Sequence, residues 1–224
     1  MGNIKSRITQ GLCRFIPTHI GNAFLLWCLQ VMRFFQRHGD MYALSHTEAN
    51  KLHEPETGFI ENQNSMHDIY MGMASMAEAG CEIIATYNAL FSIGKGMPLS
   101  QLIGMYERDG IIYSGRFGVA PKAIADMLNR NGCKVTKYIP SKKKCDIDGF
   151  ARGYDTLIMT IYNDGQDLMK EIHTVMIDRN SEGYTAHNMH CNGKVTVAYE
   201  NITALIAGET NGKGKPIIIM GVNV

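Results

Sequence analysis

A cysteine directly follows a glycine at the head of an apolar-periodic run in MAEAGCEIIATYNALFSIGKG, residues 76–96. A helix N-terminus carries unpaired N–H groups and a partial positive charge, which stabilise a thiolate. Cys81 in the first turn of such a helix would have a lowered pKa and could act as a nucleophile, and Gly80 would let a substrate approach. A cysteine among apolar residues is also commonly a small core side chain, so both interpretations stay open here.

A nucleophilic thiol needs a base, and the base needs an orienting group. His173 stands inside the strand-like run EIHTVMIDRNSEGYTAHNMH, which predicts a β-hairpin. A turn centred on positions 180–181 would place His173 opposite Asn188, at a Cβ separation of about 5 Å that allows an imidazole–amide hydrogen bond. The alternative is that His173 is a hydrogen-bonded histidine of the sheet and that Asn188 is a residue at the end of a strand.

The elements that would position these residues fall into two blocks. Helices are predicted over CEIIATYNALFSIG, MPLSQLIGMYERDG and GVAPKAIADMLNRNG, with Gly94, Gly110 and Gly132 as their stops. Strands are predicted over CKVTKYI and, from Tyr154 onward, over DTLIMTIYN, EIHTVMIDR, GYTAHNM, KVTVAYEN and KPIIIMGVNV, which turn signals separate. Helices followed by antiparallel strands indicate an α+β domain.

Composition narrows the classes of function. The 224 residues, 45% of them hydrophobic and 19% charged, suffice for one globular domain, and a net charge of +1 argues against nucleic-acid binding. The six scattered cysteines form no CxxC pair and no secretory pattern is present, which favours a reducing, cytoplasmic environment. GKGMP and NGKGKP lack the spacing of a phosphate-binding loop, and we expect no cofactor.

The organisation predicted from the pattern has three parts: a basic, apolar helical segment at 1–40, a linker or wrapping loop at 41–75 and a catalytic domain at 76–224. The apolar run at 23–35 is shorter than the roughly 20 residues that cross a bilayer. It is expected to pack on its own domain, or else residues 1–39 lie in a membrane interface. MGNIKS also fits the N-myristoylation pattern.

One histidine-rich stretch offers a rival site. HNMHC offers His187, His190 and Cys191 near His173 as transition-metal ligands. Adjacent strand residues point to opposite faces, so His190 and Cys191 share one ion only with the help of a bulge, and no metal site is expected. SKKKCD reads as a solvated loop.

The order of a cysteine heading a helix, two further helices, a strand histidine and a hairpin-related asparagine resembles the papain-like cysteine peptidases. The resemblance is greatest to their bacteriocin-processing, double-glycine leader peptidase branch, where GC opens the central helix and an H-[TVF]-V motif begins the catalytic strand. It covers roughly residues 70–200 and includes FGVAPKAIADMLNRNGCKV. The resemblance implies a papain-like α+β fold with a helical half on a C-terminal antiparallel sheet. It implies Cys81 as nucleophile, His173 as base and Asn188 as orienting residue.

Two positions depart from that family. Asn188 stands where the branch usually has Asp, and SMAEAG lacks the family's upstream Gln, an oxyanion donor for which Ser75 is the nearest substitute. A missing donor costs about 2.7–4 kcal/mol of transition-state stabilisation. The predicted function is cleavage of a peptide amide or thioester in a peptide or protein substrate, through an acyl-enzyme. The alternative is a catalytically silent papain-like module that binds a peptide.

Overall fold

The computed structural model describes residues 22–35, 46–140, 146–164 and 172–224 of the chain. The expectations for the MGNIKS motif and for the lysine-rich loop at 141–145 lie outside these residues. The described helices are α1 (Asn22–Phe35), α2 (Met76–Ala79), α3 (Cys81–Ser92), α4 (Leu99–Arg108), α5 (Pro121–Arg130), α6 (Ile147–Ala151) and α7 (Ile202–Glu209). The described strands are β1 (Tyr70–Met71), β2 (Ala74–Ser75), β3 (Lys134–Tyr138), β4 (Thr156–Tyr162), β5 (Ile172–Asn180), β6 (Gly183–His187) and β7 (Lys215–Asn223).

The main sheet has the strand order β3-β7-β4-β5-β6, and every neighbouring pair in it is antiparallel. β1 and β2 form a separate small hairpin. The predicted α+β class is therefore confirmed, with three predicted helices and most predicted strands in place.

The run KVTVAYEN is where the strand prediction is wrong. It forms no strand and makes only an isolated bridge between Tyr199 and Tyr184, while Val195 and Val197 are exposed. Apolar alternation cannot make a strand where the sheet offers no continuous partner. The chain instead enters α7, which the sequence analysis did not predict, and the Asn201 side chain caps that helix by accepting the N–H of Ala204 at 2.8 Å.

Helices cover both faces of the sheet. On β4, Ile158 packs into the core built with α3, α4 and α5, whereas Leu157 and Met159 pack into a second core with α6 and α7. Successive strand residues point to opposite faces, so a strand covered on both sides must be apolar throughout. This explains why β4 reads as the continuous run TLIMTIY.

The central helix α3 packs against β4 and β5 and is buried along nearly its whole length. Its apolar stripe includes Ile83, Ile84 and Leu90, all fully buried, as the periodicity predicts. The helix stops before Gly94, whose φ of +72° is strained for a residue with a side chain. The thiol at the head of this helix is thereby held at the end of a rigid core element.

The stretch from residue 46 to residue 75 wraps around the helical half of the domain and is docked by side-chain contacts. The Asn88 carboxamide on α3 accepts from the N–H of Ile60 at 2.8 Å and donates to its carbonyl at 3.0 Å. The Glu54 carboxylate caps α4 by accepting the backbone N–H groups of Leu99 and Ser100. Residues 46–75 of the predicted linker or wrapping loop are thus docked on the helical half by these contacts.

Helix α1 packs on the helical core through Leu26, Leu29 and Met32. Its other side exposes Phe24, Trp27 and Phe34. No helix among the described residues is both long and apolar enough to cross a membrane. The inner face of α1 thus packs on the domain, which is the first of the two alternatives expected for this segment.

Arg33 ties α1 to the domain through two ion pairs. Its side chain, 7% exposed, bonds Asp109 on the loop after α4 at 2.8 Å and Asp126 on α5 at 2.7 Å. A buried guanidinium between two carboxylates makes strong charge-assisted hydrogen bonds.

We predict that Arg33→Met lowers the free energy of unfolding by about 2 kcal/mol, because hydrogen bonds to charged groups are each worth about 1.5–3 kcal/mol. Arg130→Met is the matched control, since Arg130 pairs with the same Asp109 but is 51% exposed, and should cost less than about 1 kcal/mol. Urea denaturation followed by circular dichroism measures both. Equal losses in the two variants would show that α1 is not held by this pair.

Candidate active site

Cys81 is the first residue of α3, as predicted, and only 8% of it is exposed. Its thiol donates a hydrogen bond to Glu82 Oε2 at 3.4 Å, and the backbone N–H of Thr174 on β5 faces the sulfur. Gly80 is required by packing, because a Cβ there would lie 2.6 Å from the Met76 carbonyl oxygen. The N-terminus of α3 is therefore closely packed against β5, and Gly80 is needed because the packing leaves no room for a side chain.

The expectation of a lowered thiol pKa is wrong. Burial, followed by the negative charge of Glu82, raises the pKa of Cys81 well above its ordinary value, and the helix N-terminus does not offset this. The Cys81 side chain is accordingly a protonated thiol, and a protonated thiol needs a proton acceptor before it can act as a nucleophile.

Glu82 is the site residue that the sequence analysis missed. It is 7% exposed, and its carboxylate lies against Gly118, where a Cβ would stand 2.9 Å from Oε2, with the backbone N–H of Val119 directed at it. Burial raises the pKa of Glu82 to about 7, although Cys81, His173 and the backbone N–H groups oppose that rise. Glutamate in the first turn of a helix is ordinary in sequence, because it complements the helix dipole, so no signal marked it.

His173 lies on β5 and is 7% exposed. Its Nε2 is 2.7 Å from the backbone carbonyl of Asn188. A carbonyl oxygen only accepts, so Nε2 must carry a hydrogen, and in the neutral ring Nδ1 is then the nitrogen that can accept a proton. The imidazole is thus oriented by a main-chain group.

The predicted hairpin register was wrong. Asn180 pairs with Gly183 and Met176 pairs with His187, so the turn lies at residues 181–182. Strand β6 ends at His187, and Asn188 has a φ of +59° that turns the chain away from the sheet. This turn brings the Asn188 carbonyl, and not its side chain, to the imidazole.

The side chain of Asn188 bonds Gln63 on the wrapping stretch instead. Asn188 Oδ1 accepts the Gln63 backbone N–H at 3.2 Å, and Asn188 Nδ2 donates to Gln63 Oε1 at 3.0 Å. Gln63 Nε2 in turn donates to the carbonyls of Met76 at 3.0 Å and Ala77 at 3.4 Å. Gln63 therefore links the Asn188 loop to α2, the helix that precedes Cys81, and both its amide hydrogens are already used. Nothing in the sequence distinguished it.

Ser75 was the predicted substitute for the missing oxyanion donor. It is buried, pairs with Tyr70 across the small hairpin and precedes α2, which together with Gly80 separates it from Cys81. Within the described part of the chain no hydrogen bond joins Ser75 to Cys81. An oxyanion donor must face the substrate carbonyl oxygen and need not bond the thiol, so the oxyanion role of Ser75 stays a prediction.

The structure does not bring the two predicted catalytic side chains into hydrogen-bond contact. In the described residues Cys81 bonds Glu82, whereas His173 Nε2 lies 3.6 Å from the sulfur of Cys191. Burial alone would lower the pKa of His173, but the Cys191 thiol, the Asn188 carbonyl and the Glu82 carboxylate outweigh it and raise that pKa. Glu82 makes the smallest of these contributions to the pKa of His173, and it is also the residue that hydrogen-bonds the Cys81 thiol.

The residues considered as metal ligands are engaged elsewhere. His187 lies between Glu61 and Asp178, and His190 bonds Glu209 at 2.7 Å. Among the residues that the structure describes, no group of three suitable side chains is placed to hold a metal ion.

His187 supports the loop that anchors the imidazole. Its two ring nitrogens face the carboxylates of Glu61 and Asp178, and its ring stacks on Phe59 at 3.9 Å. Burial opposes protonation, but the two carboxylates raise the pKa of His187 to about 9. Glu61 also accepts the backbone N–H of Asn188 at 2.7 Å. The His187 imidazolium therefore stabilises the segment whose carbonyl bonds His173.

Comparisons of the chain with family models, with curated proteins and with solved structures find no match. The class of protein, α+β with an antiparallel sheet, follows from the elements themselves. Its chemistry must likewise be inferred from the contacts of its own residues.

We predict that His187→Gln lowers stability most at about pH 6 and least above about pH 9. A histidine whose folded pKa lies above its unfolded value stabilises fully below the unfolded pKa and loses this stabilisation as pH rises through the folded pKa. The shift from 6.5 to about 9 corresponds to about 3 kcal/mol. Unfolding free energies across pH, with exposed His53→Gln as the control, measure it. A gap between wild type and variant that is independent of pH would contradict the assignment.

We predict that Asn188→Asp destabilises the chain by about 1–3 kcal/mol, because an ionised carboxylate cannot donate to Gln63 Oε1. Asn188→Gly also loses the side-chain bonds but tolerates the positive φ. Both variants keep the carbonyl that anchors His173, so the ¹⁵N shifts of the ring should still show hydrogen on Nε2. A change of tautomer in Asn188→Gly would mean that the side chain orients the ring.

Proposed function

We propose that the chain is a cysteine peptidase, or a related thiol acyl-transfer enzyme, with a papain-like arrangement of its residues. The observation that carries the proposal is the Cys81 thiol at the head of the buried helix α3, hydrogen-bonded to the Glu82 carboxylate and packed on the strand that carries His173. A nucleophile on a helix terminus, an anchored imidazole and a buried carboxylate are the components of covalent acyl transfer.

In this function Cys81 attacks the carbonyl carbon of a peptide amide or thioester and forms an acyl-enzyme. His173, whose pKa is raised, donates a proton from Nδ1 to the leaving amine. A water or an amine then resolves the acyl-enzyme and regenerates the thiol. The Asn188 carbonyl holds the ring through Nε2 during both steps.

Cys191 is a second candidate nucleophile, because among the cysteines that the structure describes its sulfur is the one that contacts an imidazole nitrogen, Nε2 of His173, at 3.6 Å. That nitrogen is Nε2, and its hydrogen is committed to the Asn188 carbonyl at 2.7 Å. A protonated nitrogen cannot accept the thiol proton, so His173 cannot activate Cys191 as a base in this arrangement. The tautomer therefore favours Cys81.

The access to the site favours a thin, extended substrate. Only 8% of Cys81 and 7% of His173 are exposed, so a bulky acyl group would require the surrounding packing to open. A peptide or protein segment in extended conformation is the substrate class that fits. A catalytically silent peptide-binding module would use the same surface. Only a test for acylation or cleavage distinguishes it from a peptidase.

We predict that a fluorescent peptide thioester acylates Cys81 and no other cysteine, as read by peptide mapping. Cys81→Ala should abolish the adduct. His173→Ala should slow the turnover of a peptide amide by about 100-fold or more, the usual contribution of a general acid–base. Cys133→Ala, a buried thiol outside the site, is the matched control and should leave the adduct unchanged. An adduct on Cys191 would reassign the nucleophile, and the absence of any adduct would favour the silent module.

A further inference from the structure

The Glu82 carboxylate is enclosed by groups from each element that packs around it. Cys81 on α3 donates to it at 3.4 Å, and the Gly118–Val119 turn contributes a close backbone approach and an N–H. The titratable groups that sense its charge are Cys81 on α3, Tyr106 on α4 and His173 on β5. Of these, Cys81 is the one that hydrogen-bonds it in the described structure, so the carboxylate faces the proposed nucleophile.

We propose that Glu82 is a catalytic residue, the general base that accepts the proton of the Cys81 thiol as the sulfur attacks the substrate. This inference rests on the proposed function. It adds a carboxylate to the cysteine and histidine, and divides proton transfer between two groups. Glu82 serves the nucleophile, and His173 serves the leaving group and the water.

The acylation step balances with these groups. The S–H bond of Cys81 breaks, its proton forms an O–H bond on Glu82 Oε2, and the sulfur bonds the substrate carbonyl carbon while the C=O π electrons move to oxygen. The tetrahedral intermediate collapses, the C–N bond breaks, and the leaving nitrogen takes the Nδ1 proton of the His173 imidazolium. Glu82 is then protonated and His173 neutral.

Deacylation restores both groups. A water attacks the thioester and gives a proton to His173 Nδ1, which becomes imidazolium again. The C–S bond breaks, and the departing Cys81 sulfur takes back the proton from Glu82. No further reactant is required besides the peptide and water.

The surroundings of Glu82 suit it to this task. A general base works best when its pKa lies near the working pH, and burial raises the pKa of Glu82 to about 7. A carboxylate held beside a thiol could instead act only as a neighbouring negative charge, which suppresses the thiolate. The two roles predict opposite effects of neutralising Glu82.

The test is the pH dependence of Cys81 acylation by a peptide thioester, whose thiolate leaving group needs no acid. For wild type we expect the rate to rise about tenfold per pH unit below about pH 7 and to level off above it. In Glu82→Gln the inflection should disappear, and the rate at about pH 7.5 should fall by at least about 100-fold. Glu82→Asp retains a carboxylate and should keep the inflection with a lower plateau.

Glu107→Gln is the matched control. Glu107 is also buried, with a pKa raised by burial to about 7, but it bonds the backbone N–H of Gly72 and not the site. The control should keep the wild-type pH profile. Circular dichroism verifies that each variant folds. If Glu82→Gln does not fold, the pH profiles of wild type and Glu82→Asp decide whether Glu82 is the proton acceptor.

A rate in Glu82→Gln equal to or faster than wild type at about pH 7.5 would overturn the proton-acceptor role while leaving the peptidase proposal intact. A wild-type profile without an inflection, or an inflection lost in Glu107→Gln, would also overturn it. Failure of wild-type Cys81 to be acylated at all would overturn the proposed function, and the role of Glu82 with it.

Discussion

The packing of α3 against β4 and β5 is the interaction on which the rest of the structure depends. It buries almost every residue of the helix, including the polar side chains of Glu82, Thr86 and Asn88. Each buried polar group must find a partner, and each does so on a different element: Thr86 bonds Tyr106 on α4, and Asn88 bonds Ile60 on the wrapping stretch. The helix thereby organises the domain around its polar residues as well as its apolar ones.

The same burial sets the electrostatics of the site. Burial and the negative charge of Glu82 keep the proton on the Cys81 sulfur. Burial also raises the pKa of the Glu82 carboxyl, although the hydrogen bond from the thiol opposes that rise. This differs from a site in which a thiolate and an imidazolium are already formed. In the proposed chemistry the first proton transfer accompanies the attack, and that transfer needs an acceptor beside the sulfur.

The loop after β6 and the wrapping stretch act as one support for the imidazole. The backbone N–H of Asn64 donates to the carbonyl of Cys191 at 2.9 Å, and that of Gly193 donates to the carbonyl of Glu61 at 3.0 Å. The Gln63–Asn188 and Glu61–His187 contacts complete the connection. A segment that reads as a linker is thus what holds the carbonyl of Asn188 against His173.

The sequence by itself determined the local elements. Periodicity and glycine stops located α3, α4 and α5, and alternation located most strands, because these signals depend on residues close in the chain. It also placed Cys81 at the head of the central helix and His173 on β5. It could not reveal that KVTVAYEN forms no strand, since that outcome depends on whether a neighbouring strand is available, and it did not locate α7, which follows this run.

Only the tertiary structure decided the partners of the site residues. The hairpin register depends on the exact position of the turn, and a shift of one residue in the turn changes every pair along the strands. Asn188 contacts His173 through its backbone carbonyl, which a pattern of side chains cannot predict. Glu82 and Gln63 are ordinary residues until the fold buries them beside Cys81 and Asn188. The pKa of Cys81 is raised, although the sequence predicted that it would be lowered. The reason is the same: burial is a property of the packed chain, and here it outweighs the effect of the helix N-terminus.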